Sequence, residues 1–106
     1  MRYSEAERYA KEALGIEPSN AITLNILGQI YLEIGRYSSA LWCYQEVLQA
    51  DPNNREAYFG MGRYFTKLGN TNQAQEAFQK VINLSSTNDA LAIAAKREIA
   101  IKKIDH

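Results

Sequence analysis

A chain of 106 residues with 12 basic and 12 acidic side chains carries no net charge, so neither nucleic acid nor an anionic membrane is offered an attracting field. Its single cysteine and single histidine, the latter the last residue, exclude an internal disulfide, a zinc cluster and a paired Cys–His nucleophile. Nothing approaches the roughly 18 consecutive apolar residues of a membrane span and no apolar leader core follows Met1, so the expected compartment is the cytoplasm.

Tyr3, Ala6, Tyr9, Ala10, Ala13 and Leu14 make the apolar stripe of a first helix, which Gly15 to Pro18 ends. After Asn20, the residues Leu24, Leu27, Gly28 and Tyr31 fall at i, i+3, i+4 and i+7, one face of a helix. Gly35 breaks that face, and a second stripe follows in Tyr37, Ala40, Leu41, Tyr44, Val47 and Leu48. Asp51-Pro52-Asn53-Asn54 closes the hairpin, since proline cannot continue a helix and asparagine suits turns and N-caps. The spacing predicts helices near 20–34, 38–50, 54–68, 72–84 and 88–104. Asn20, Asn53 or Asn54, Thr71, and Asn88 with Asp89 are the expected helix starts.

The two hairpins are copies of one unit. Adding 34 carries Gly28 to Gly62, Gly35 to Gly69, Ala40 to Ala74 and Val47 to Val81. Chemical type is kept at Leu24 and Tyr58, Leu27 and Met61, Tyr31 and Phe65, and Tyr44 and Phe78. Subtracting 34 takes Ala40 to Ala6, Tyr37 to Tyr3 and Pro52 to Pro18. A fixed period with kept small and aromatic positions signals stacked repeats.

The pattern Leu24, Leu27-Gly28, Tyr31, Gly35, Ala40, Tyr44, Val47, Pro52, followed by Tyr58, Met61-Gly62, Phe65, Gly69, Ala74, Phe78 and Val81, resembles the tetratricopeptide repeat (TPR). Ser86 stands where the second unit would have proline. The resemblance implies an all-α solenoid of helical hairpins in a right-handed superhelix, a single domain over 1–106. On this reading 1–20 is the second helix of a truncated repeat, 21–54 and 55–88 are full repeats, and 89–106 is a capping helix and tail. Lys96 replaces the packing glycine and Lys103 stands where Gly69 would recur, so no further helix is expected to pack closely there. The uncovered first stripe implies either a chain cut from a longer protein, which we favour, or cover supplied by another copy.

No catalytic constellation emerges. The carboxylates are scattered over helix surfaces, and no glycine follows a strand as a phosphate loop requires. Cys43, mid-helix between Trp42 and Tyr44, reads as a partly buried packing residue. No enzyme activity, cofactor or metal is therefore expected. RNA-binding pentatricopeptide arrays repeat at 35 residues, and the 34-residue period with neutral charge argues against nucleic acid.

The faces opposite the packing stripes of the first helices are the informative ones, because stacking lines them into a concave groove. The first hairpin brings Ile22, Ile26, Gln29 and Glu33 with Asn25 at the edge; the second brings Glu56, Gly60, Arg63 and Lys67 with Phe59 at the edge. The last helix adds Ala90, Ala94, Arg97 and Ile101, flanked by Ile93. Small Gly60 and Ala94 leave room, and Asn25, Gln29, Arg63 and Arg97 supply donors. This predicts a partner-binding groove of Ile22, Asn25, Ile26, Gln29, Phe59, Arg63, Ile93 and Arg97, holding a peptide or partner helix with apolar anchors and some acidic character. Trp42 lies about 200° round the helix from Ala40 and is a possible contact on the convex side. Some TPR domains grip the terminal carboxylate of chaperones with a clamp of Lys and Asn, then Asn, then Lys and Arg. Laid on Asn25 and Gln29, Gly60, and Ala90 and Ala94, that pattern is unmet. Begun one repeat earlier, with Ile26 in the middle and Glu56 and Gly60 last, it is unmet again. The expected function is a non-enzymatic protein-interaction module within a larger scaffold or assembly; the alternative is self-assembly through the uncovered half-repeat.

Overall fold

The computed structural model of the chain describes residues 20–104 together with Glu5, Glu7, Arg8, Tyr9, Lys11, Glu12 and Gly15, with backbone alone for 102–104. Five helices follow one another: α1 (Ala21–Glu33), α2 (Tyr37–Ala50), α3 (Arg55–Lys67), α4 (Thr71–Leu84) and α5 (Ala90–Ile104). Ahead of them, the described residues from Glu5 to Gly15 are also helical. The chain is an all-α stack of helical hairpins, with no strand among the described residues.

Each helix start has a local cause. Asn20 accepts from the Thr23 amide at 3.0 Å, Asn54 from that of Ala57 at 2.9 Å and Asp89 from that of Ala92 at 3.0 Å. Each satisfies a backbone donor that the first turn cannot. Thr71 is not a cap: it is the first residue of α4, and Asn70 precedes it without a side-chain cap bond. The hairpin turns are made by Gly35 and Gly69, with φ of 82° and 81°, a left-handed conformation that glycine adopts without a Cβ penalty. In both turns the next amide reaches back five residues, Arg36 to the Tyr31 carbonyl at 2.8 Å and Asn70 to that of Phe65 at 2.9 Å.

Helices pack as chain neighbours, and α1 also meets α3, as α3 meets α5. First helices thus line one side of the stack. Leu24, Leu27, Tyr31, Ala40, Cys43, Tyr44 and Val47 fill the first core; Ala74, Phe78, Val81 and Ala95 fill the second. Ile30 and Leu32 are buried too, so α1 is covered more widely than its stripe predicts. The N-terminal helical residues contribute to that cover: Glu7 is buried and pairs with Arg36 at 3.1 Å and Lys11 at 3.0 Å, while the Lys11 ammonium sits over the Tyr31 ring. Tyr9, placed on the apolar stripe by its spacing, is 59% exposed; a charged pair rather than that tyrosine makes the contact. The remaining stripe residues Tyr3, Ala6, Ala10, Ala13 and Leu14 lie outside the described residues.

Candidate interaction groove

A cavity of about 520 Å³ opens between α1 and α3. Ala21, Ile22, Asn25, Ile26 and Gln29 line it from α1, and Asn54, Glu56, Phe59, Gly60 and Arg63 from the start and body of α3. Tyr44 reaches it from α2 and Leu91 from the first turn of α5. Six of the eight residues expected to line a groove therefore surround one space: Ile22, Asn25, Ile26, Gln29, Phe59 and Arg63. Ile93 and Arg97 do not. α5 meets the cavity only through Leu91, while Ile93 and Arg97 stand exposed further along that helix.

The apolar wall is unusually open to solvent. Ile22 is 72% exposed and Ile26 50%, and they lie one turn apart on the same face. Phe59 is less free than its edge position suggests, since its ring meets Phe78 edge-on with centroids 5.3 Å apart. It is half-buried, one face belonging to the second core. Arg63 is not a free donor either: its guanidinium pairs with Glu33 of α1 at 3.3 Å, tying the two walls together.

Asn25 and Asn54 form a polar corner. The Asn54 oxygen is fixed by the cap bond from the Ala57 amide, and it also accepts from the Asn25 amide nitrogen at 3.1 Å. That order fixes the orientation of Asn25 and leaves its own buried oxygen without a hydrogen-bond partner. Gly60 does not leave room in the groove, as its size alone suggests. A Cβ there would stand 2.7 Å from the Tyr44 hydroxyl oxygen, so the tyrosine ring already occupies the space.

Among the residues not singled out as groove residues from the sequence, Tyr44, Asn54 and Leu91 matter most. The signal for Tyr44 was present: it is tyrosine where the next repeat has Phe78, a hydroxyl that packing does not require. Cys43 is fully buried and burial pushes its thiol up to about 11, so it is neither partly buried nor reactive. Trp42 is half-exposed on α2 and does not line this cavity. The period also corrects the clamp comparison: 34 residues on from Asn25 and Gln29 are Phe59 and Arg63, then Ile93 and Arg97. In that register only Arg97 has the required type, so the clamp remains unmet.

Comparison with known proteins agrees with this architecture. A sequence profile described as "TPR repeat" matches residues 28–65, and one described as "Tetratricopeptide repeat" matches 56–88. No curated protein sequence matches the chain. Among solved structures, the Sgt2 TPR domain from Aspergillus fumigatus superposes with a TM-score of 0.83 at 24% identity, covering 98% of this chain and 68% of that one. The first TPR of Spaghetti (RPAP3), bound to the HSP90 peptide SRMEEVD, gives 0.78 at 17% identity, covering 97% and 81%. The second TPR domain of human RPAP3, in complex with the HSP70 peptide SGPTIEEVD, gives 0.73 at 22% identity, covering 92% and 81%.

Proposed function

This chain belongs to the tetratricopeptide repeat family, and from that premise we propose that it is a non-enzymatic interaction module which holds a peptide in the groove between α1 and α3. Two of the structural neighbours are bound to peptides, which supports a peptide as the class of partner here. The observation that carries the reading is the wall itself: two isoleucines one turn apart, both largely exposed, beside a cavity of about 520 Å³ edged by polar groups. Exposed apolar surface beside convergent polar groups is the usual make-up of a recognition site. The helices are already packed before a ligand arrives, so binding costs little ordering of the protein. In this reading the module belongs to a larger scaffold or assembly.

Ile22→Ala with Ile26→Ala tests it. Both side chains are exposed, so the melting temperature should hardly move, while capture of the natural partner should fall by about 2 kcal/mol or more of binding energy. Arg63→Glu should weaken capture in a salt-sensitive way, because it breaks the pair with Glu33 and sets two carboxylates together at the rim. A partner that survives both changes but is lost on Trp42→Ala would move the working surface to the convex side.

A further inference from the structure

Tyr44 belongs to the core and to the groove at once. The residue is only 2% exposed, yet it lines the cavity. The ring is held in a slot between two glycines: a Cβ on Gly28 would stand 2.7 Å from its Cζ, and one on Gly60 2.7 Å from its hydroxyl oxygen. Gly60 is itself a lining residue, so the hydroxyl end is the part of the ring that reaches the groove. Among the described residues no hydrogen bond uses that hydroxyl.

Packing does not explain the oxygen. One period later the same core position is Phe78, whose ring lies against Gly62 as Tyr44 lies against Gly28. Burial raises the phenol above its ordinary value, with Arg63 pulling the other way, so the group is a protonated donor at neutral pH. The oxygen is not among the enclosed unpaired side-chain atoms, so its donor opens on the cavity rather than on the core. A ligand acceptor at the groove floor can take it.

We propose that the Tyr44 hydroxyl donates a hydrogen bond to a main-chain carbonyl of an extended peptide lying between α1 and α3, whose apolar side chains rest on Ile22, Ile26 and Phe59. The proposal rests on the groove reading above and narrows it. A helical ligand spends its carbonyls on its own hydrogen bonds, whereas an extended segment leaves them free for the protein. Charge favours a neutral acceptor over a carboxylate. Arg63 is already paired with Glu33, and Glu56 adds a negative charge to the lining.

The test uses the full chain and nine-residue randomised peptides displayed on phage, with a recovered peptide synthesised and titrated by fluorescence anisotropy. Tyr44→Phe keeps the ring between its glycines and removes only the oxygen. It should weaken the peptide about fivefold to tenfold, the loss of one neutral hydrogen bond, and leave the melting temperature unchanged or slightly raised. The Tyr44 13Cζ resonance of the wild type should shift on peptide addition. If Tyr44→Phe binds like wild type while Ile22→Ala/Ile26→Ala does not bind, the hydroxyl proposal fails and the groove stands. If both variants bind like wild type, the groove reading itself fails. A lowered melting temperature for Tyr44→Phe would assign the hydroxyl to the fold and overturn the proposal. So would equal binding by a helix-stapled form of the same peptide.

Discussion

At Gly62 a Cβ would come within 2.5 Å of the Phe78 ring, closer than real side chains approach, and the ring has Val81 and Ala74 packed around it. Gly62→Leu should therefore cost about 1–3 kcal/mol or more in a urea melt, the price of overpacking a filled core. A neutral result would mean that α3 turns a different face to α4. Gly69 has open space around it, so its constraint is conformational instead. Gly69→Ala forces a side chain into the left-handed region at φ 81°, and the same melt should lose about 1–2 kcal/mol. The two glycines look alike in the sequence and act through different physics. Asn54 serves as the cap of α3 and as the partner of Asn25; Asn54→Ala should remove about 1–2 kcal/mol, since it also leaves the Asn25 amide unpaired.

At the scale of elements, the junction of α3, α4 and α5 is held by charge and caps together. Arg55 at the start of α3 donates to the Ser85 hydroxyl at 2.7 Å and pairs with Asp89 at 2.8 Å, and Asp89 caps α5. The Ala92 amide first, and Arg55 after it, hold the Asp89 carboxyl below its ordinary value of 3.8. A depressed folded value means that this contribution is complete above the ordinary carboxylate value and is lost as pH falls below it. Asp89→Asn keeps a capping oxygen and drops the charge. Denaturant midpoints of the variant should lie below the wild type at pH 6 and converge with it toward pH 3. A gap that stays constant would mean the charge contributes nothing. The helix spans themselves were legible because the period, the turn glycines and, at three of the five starts, the cap residues point to the same boundaries. The side-chain pairings were not. The Arg63–Glu33 pair joins residues 30 apart, and Phe59 against Phe78 depends on how far α3 rotates about its axis. Neither separation nor rotation is written in a helical stripe, which marks faces but not the depth at which they meet. Tyr44 reads as core by its spacing; its hydroxyl is the one hint in the sequence, and the reach into the groove through two missing side chains is not written there.

For the molecule as a whole, a stacked array means that each helix is protected by its immediate neighbours. α5 touches α4 and α3 alone among the helices defined above, whereas α3 meets α1, α2, α4 and α5. Hydrogen exchange should release the α5 amides well before those of α3, with the end nearest Ile101 first; simultaneous release would show a single cooperative unit. Cys43 offers a second clock on the same process. It is a free thiol with no exposed surface, held protonated by burial inside the first core. A thiol-specific dye cannot reach it until α1, α2 and α3 separate, and the thiolate forms readily only once they have. Labelling this native residue thus times the opening of the half that carries the proposed groove, with no reporter introduced, and a peptide held there should slow that clock as its occupancy rises.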